Sequence, residues 1–126
     1  MTNSFFLPGA IATLSLLTAA GHSWLGEARV FGPLYAQPHQ GVLASRAIRD
    51  VTRAVWHLPS LAWVALGLAL VLNQGAANLP LYAAAIAVFA VSGIGNLVSL
   101  RMPHPGGLML LLAAALTALQ FSQSIR

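Results

Sequence analysis

The sequence predicts an all-α fold: an integral membrane four-helix bundle of up-down-up-down topology, with a cytoplasmic helical extension before the second span. Three observations predict it. The chain has 126 residues, of which 58% are hydrophobic and 6% are charged, whereas soluble domains average about 25% charged residues. Four apolar stretches have roughly the 20 residues that cross hydrocarbon as a helix. The arginines gather at one end of these stretches.

A single transmembrane domain, residues 1–126, should contain the four spans in order. They are predicted at about residues 5–25, 54–73, 79–100 and 106–123. The first stretch is too long, and too poor in positive charge at its start, for a signal peptide. Asn78 and Pro80 form a helix-start signal for the third span.

Residues 40–53 form an amphipathic helical pattern ahead of the second span. Apolar residues recur every four positions on one face, while Arg46, Arg49 and Arg53 share another. No Gly or Pro separates this segment from the second span, so we expect the two to form one continuous helix.

Arginine distribution predicts the orientation. An arginine excess marks the cytoplasmic face of a membrane protein, so both termini should lie outside, in a bacterial inner membrane. The same rule accounts for the basic isoelectric point, so a nucleic-acid partner is not needed to explain it. The residues predicted on the cytoplasmic side include all four histidines: His22, His39, His57 and His104.

Polar residues share one helical face on each of the first three spans. They are Ser15, Thr18 and His22, then Arg53, His57 and Ser60, then Ser92, Asn96 and Ser99. Lipid cannot satisfy polar side chains, so these faces should turn toward one another. We therefore predict a cytoplasmic pocket lined by His22, His57, Asn96 and His104. Its rim would hold an anion or lipid head group with Arg29, Arg53 and Arg101.

The leading hypothesis is a cofactor site. His22, His57 and Asn96 would bind the cofactor, either haem or a transition metal; the metal ligands would be His22, His57, His104 and Glu27. Glu27 lies about 140° around a continuous helix from His22. It can join the pocket only if the helix ends near Gly26, and it otherwise pairs with Arg29 or Arg53.

Two other functions stay open, and no motif decides whether the chain is an enzyme. It could be a non-catalytic transporter or accessory subunit, or a metal-free lipid-modifying enzyme in which histidine serves as acid or base. Expected partners are the lipid bilayer, an anionic lipid or amphipathic small molecule, and a second copy of the chain. A stripe of small residues on the third span predicts close helix contact: Ala83, Ala87, Val91, Gly95 and Ser99.

The segment Arg49 to Pro59 is similar to the second-helix motif of the membrane-associated glutathione and eicosanoid enzymes. The similarity rests on Arg53-Ala54 and Leu58-Pro59. That motif has an Asn and a Glu between these pairs, where this chain has Val55, Trp56 and His57. The resemblance therefore implies a shared architecture and no shared chemistry.

Overall fold

The computed structural model describes residues 5–126, and the protein is 84% helical, with no strand in that range. The all-helical prediction is confirmed. The long helices are α1 (Phe6–Leu25), α3 (Arg46–Leu72), α4 (Leu79–Leu100) and α5 (Pro105–Ser124). Between α1 and α3 lie a π-helical turn (Gly26–Phe31), the short helix α2 (Gly32–Tyr35) and a 3-10 turn (Gly41–Ala44).

Three of these helices are long and apolar enough to cross a membrane. They are α3, α4 and α5, with mean hydropathy of 1.8, 2.0 and 1.5 over their most apolar windows. The 20-residue helix α1 has a sufficient length, but Thr13, Ser15 and His22 interrupt its apolar residues. Within residues 5–126, the composition of a membrane span is thus found for three of the four predicted spans.

Local sequence signals mark the helix ends. The Asn78 side chain accepts the Leu81 N–H at 3.2 Å and caps α4, as its position before Pro80 predicts. Arg101 ends α4 in the left-handed conformation at φ 51°. His104 then precedes the first residue of α5, Pro105, which needs no N–H partner at that position.

Each long helix packs against two others. Helix α1 contacts α3 and α5, and α4 contacts the same two helices. Helices α1 and α3 run in opposite directions: Ser23 meets Ser60, whereas Ser15, earlier on α1, lies against Gly67, later on α3. The largest fully buried side chains in the centre are Trp63, Tyr82, Phe89, Ile11, Leu70 and Leu110.

Glycines set the closest approach between α4 and α5. A Cβ atom built on Gly93 would lie 2.8 Å from Leu111 Cγ and 2.9 Å from the Gly107 carbonyl oxygen. A Cβ on Gly107 would lie 3.1 Å from the Gly93 carbonyl oxygen. Backbones that approach this closely gain van der Waals contact along the helices, which is the main packing force between apolar helices in lipid.

The small-residue stripe of α4 does not make the predicted contact within the chain. Ala83, Ala87, Val91, Gly95 and Ser99 are all exposed. The buried face of α4 instead contains Tyr82, Ala85, Phe89 and Gly93. Large aromatic side chains fill the centre of the bundle, so they turn the helix and leave the smaller residues outside.

We predict that Gly93→Ala destabilises the bundle by about 1–3 kcal/mol, the usual cost of overpacking. The new methyl group would meet the Gly107 backbone, which cannot rotate away. The measurement is thermal unfolding in detergent, followed by circular dichroism. Gly95→Ala is the matched control on the same helix, because a Cβ there meets nothing within 4 Å. Equal melting temperatures for the two variants would contradict the proposed glycine contact.

Candidate functional site

A cavity of about 420 Å³ lies where the end of α1 meets α3, the end of α4 and the start of α5. Its walls are mainly apolar and include Leu17, Leu25, Met109 and two indole rings. The polar side chains that line it are Thr18, His22, Arg29, Asn96 and His104. The volume lies within the usual range for a small-molecule site, roughly 300–1,000 Å³.

Reciprocal contacts with Trp56 hold the His22 ring against one wall. The two rings stack with centroids 4.8 Å apart and planes 8° from parallel. His22 Nε2 donates to the Trp56 carbonyl at 3.2 Å, and Trp56 Nε1 donates to the His22 carbonyl at 3.4 Å. Because Nε2 carries the donated proton, Nδ1 carries the lone pair of a neutral His22 ring.

Gly26 and Trp63 complete this wall. A Cβ atom on Gly26 would overlap the Trp56 indole, so only glycine leaves room for the ring there. Trp63 meets His22 edge to face at 5.3 Å and donates from Nε1 to Ser92 Oγ at 3.0 Å. The wall is therefore rigid, because each of its rings is fixed by a neighbouring helix.

Thr18 and His104 contribute polar atoms that have no hydrogen-bond partner among the described residues. These are Thr18 Oγ1 and His104 Nδ1, both buried. A Cβ atom on Gly106 would lie 3.2 Å from His104 Nδ1 and 3.6 Å from Thr18 Cγ2, so the two side chains meet at the start of α5. Burying an unsatisfied polar group costs about 1–3 kcal/mol, which a ligand that pairs with it would recover.

Glu27, Arg53 and His57 form a second polar group outside this cavity. Arg53 binds the Glu27 carboxylate with two nitrogens: Nε lies 2.8 Å from Oε1, and an Nη atom contacts Oε2. His57 Nε2 lies 2.9 Å from the same Oε1. Glu27 and Arg53 also line a separate cavity of about 330 Å³, together with Phe31 and Tyr35.

A chain of hydrogen bonds continues from His57 into the α1–α3 interface. His57 Nδ1 lies 3.0 Å from Ser23 Oγ, Ser23 donates to Ser60 Oγ at 3.0 Å, and Ser60 donates to the Ala19 carbonyl at 3.3 Å. Since the Ser23 proton goes to Ser60, its oxygen accepts from His57.

Hydrogen bonds lower the pKa of Glu27 from its ordinary value near 4.5 to about 2. The largest cause is the side-chain bond from Arg53, followed by that from His57. Both bonds favour the ionised carboxylate. Glu27 is therefore an anion at neutral pH, and it offsets the charge of Arg53 within the protein.

The structure separates the single pocket predicted from the sequence into two. His22, Asn96, His104 and Arg29 line the main cavity, whereas Glu27 and Arg53 lie together at the other and His57 bridges to Ser23. Arg101 is exposed and lines neither cavity. In the described part of the chain, no three His, Cys, Asp or Glu side chains are placed to hold a metal ion.

The sequence prediction for Glu27 depended on where α1 ends. The α-helix stops at Leu25 and a π-helical turn follows, and Glu27 pairs with Arg53, one of the two partners expected for it. Ser23 was missed, although a signal was available. Ser23 and Glu27 are four residues apart in the sequence, as Arg53 and His57 are, and residues at that spacing share a face of a helix.

A comparison with protein-family models, curated proteins and solved structures finds no match. The chemistry of the main cavity and of the Glu27 group therefore follows from their own geometry. The cavity offers apolar walls with a few polar atoms, and the Glu27 group offers a closed set of charges that satisfy one another.

We predict that the protein loses stability as the pH falls from about 4.5 to about 2, the interval set by the unfolded and folded pKa values of Glu27. A depressed pKa contributes stability above the higher value, and protonation removes it below the lower one. The measurement is the unfolding midpoint against pH in detergent. Glu27→Gln should be less stable at pH 7 and lose less on acidification. Asp50→Asn is the control, since Asp50 forms only an exposed pair with Arg46; an unchanged slope in Glu27→Gln would refute the prediction.

Proposed function

We propose that this chain is an integral membrane protein that binds an amphipathic small molecule in the 420 Å³ cavity. One observation carries the proposal. The cavity is walled by apolar and aromatic side chains, yet Thr18 Oγ1 and His104 Nδ1 are buried at it with no partner among the described residues. Apolar walls with a few convergent polar groups are typical of sites for small organic molecules.

Membrane insertion is supported by the outer surface of the bundle. Large apolar side chains remain exposed on every long helix, such as Phe6, Leu61, Val91 and Leu108. A soluble monomer rarely exposes so much apolar area. The proposed topology is up-down-up-down, with α1 as one of the four spans and the first part of α3, residues 46–53, extending into the cytoplasm. The cavity then opens near the cytoplasmic face, where the arginines lie.

The geometry favours an organic ligand over the expected haem or metal ion. A haem clamped by His22 and His57 would need a ring nitrogen from each. Both nitrogens of His57 are already paired, one with Ser23 and one with Glu27. His57 could ligate iron only after one of these bonds broke.

The geometry also disfavours hydrolysis by a serine nucleophile. Ser23 contacts His57, and His57 contacts Glu27, which are the residue types of a catalytic triad. Ser23 lines neither cavity, however, and its proton is donated to Ser60. This set of residues therefore stabilises the α1–α3 interface and has no reacting group near a substrate.

We predict that Gly21→Leu fills the cavity and weakens binding about tenfold or more. Gly21 lines the cavity, and a Cβ atom there meets nothing within 4 Å, so the larger side chain can enter. The probes are dibromostearate and its methyl ester in detergent, because bromine quenches the indoles of Trp56 and Trp63 on contact. A Trp24→Phe background removes the exposed indole.

Gly9→Leu is the matched control for Gly21→Leu. Gly9 lies on the same helix, is equally free of neighbours within 4 Å and does not line the cavity. Its variant should bind both probes as the parent does. If neither probe quenches saturably, or if the two variants bind equally, the proposed cavity function is wrong.

The proposed orientation predicts which loops are accessible from outside the cell. The chain has no cysteine, so each introduced cysteine is unique. Ala77→Cys, between α3 and α4, should react with an impermeant maleimide on intact cells. Gln37→Cys, between α1 and α3, should react only after permeabilisation. The opposite labelling pattern would reverse the orientation.

A further inference from the structure

We infer that the ligand of the main cavity carries an anionic head, a carboxylate or a phosphate monoester, seated between Thr18, His104 and the start of α5. The inference rests on the proposed small-molecule function and specifies its ligand. It comes from three independent features of the cavity: its charge, the exposed start of a helix, and a buried hydroxyl group that has no partner.

The described lining of the cavity carries positive charge and no negative charge. Arg29 is the formally charged side chain of this lining, which contains no acidic side chain. The chain has only two acidic residues, and both are paired elsewhere: Glu27 binds Arg53 and His57, and Asp50 lies 3.7 Å from Arg46. A cationic head would thus meet no counter-charge in this cavity, whereas an anionic head would meet Arg29 at its mouth.

The start of α5 contributes backbone donors at the same place. Pro105 and Gly106 line the cavity, and α5 continues for 20 residues. The first free N–H groups of a helix and its dipole attract an anion. The first backbone hydrogen bond of α5 runs from the Leu108 N–H to the His104 carbonyl at 3.1 Å. The His104 side chain makes no capping bond, so it leaves these donors open to a ligand.

Thr18 supplies the second, independent observation. Two other buried hydroxyl groups bond to the carbonyl four residues earlier: Ser15 to Ile11 at 2.8 Å and Thr117 to Ala113 at 2.7 Å. Thr18 Oγ1 makes no such bond, although the residue is only 5% exposed. It lines the cavity close to Gly106 and His104. Its methyl carbon Cγ2 lies near Gly106, and its hydroxyl group has no acceptor among the described residues.

The remaining walls require an apolar body on the ligand. Leu17, Leu25, Leu100 and Met109 surround the rest of the space together with the two indoles. A small inorganic anion would leave these walls without contacts. A single hydrocarbon chain or ring system attached to the anionic head would cover them, and either head chemistry can carry such a chain.

The test compares dibromostearate with its uncharged methyl ester, by quenching of Trp56 and Trp63 in the Trp24→Phe background. We expect the acid to bind about tenfold tighter than the ester. Thr18→Val, which keeps the shape and removes the hydroxyl, and Arg29→Gln should each reduce this preference. Thr13→Val is the control on the same helix, since Thr13 is exposed and bonds to the Gly9 carbonyl. Arg29 is exposed, so Arg29→Gln should fold even if Thr18→Val does not, and the preference for the acid can then still be tested.

The outcomes separate this inference from the proposed function. Equal binding of acid and ester in the parent overturns the anionic head and leaves the cavity function standing, whereas no saturable quenching by either probe overturns both. Competition by laurate and by dodecyl phosphate identifies the head, and displacement by either one supports the inference. Displacement by inorganic phosphate alone at the same concentration would refute the need for an apolar body.

Discussion

The packing of α1 against α3 is the interaction on which both the main cavity and the Glu27 group depend. Four residue pairs lie along this contact. Gly67 packs against Ser15, and Ser23 bonds to Ser60. His22 stacks on Trp56, and Glu27 forms an ion pair with Arg53. Helices as apolar as these have few ways to satisfy polar side chains, because lipid offers neither donors nor acceptors. His22, Ser23 and Glu27 are therefore each matched by a partner on α3.

The way in which the chain leaves α1 decides what each residue at that end can reach. A π-helical turn begins at Gly26, directly after the α-helix ends. The turn carries Glu27 to Arg53 and His57, away from the cavity that His22 lines. Gly26 also leaves room for the Trp56 ring, which closes the cavity wall. One local change in helical geometry thus separates a charged group from an apolar site.

This separation has a chemical consequence. The Glu27 carboxylate binds both Arg53 and His57, and it balances the charge of Arg53 within the protein. Arg29, His22 and His104 remain at the cavity with no acidic neighbour in its described lining. The described cavity lining thus keeps the cation Arg29 without a counter-charge, whereas the Glu27 carboxylate links the turn after α1 to α3. A ligand in the cavity would gain from apolar contact and from the buried atoms of Thr18 and His104.

Sequence alone predicted the all-helical fold and the Asn78 cap, because hydropathy and capping residues are local properties; the helix predicted from residue 40 instead begins at Arg46, after a 3-10 turn. It also placed His22, Asn96, His104 and Arg29 near one another, since their faces follow from helical periodicity. Only the tertiary structure decided that His57 pairs with Ser23 and Glu27, that Arg101 stands apart, and that the small stripe of α4 faces outward. Those outcomes depend on how far each helix is rotated against its neighbours. That rotation is set by large side chains such as Trp63 and Phe89, which pack from several helices at once.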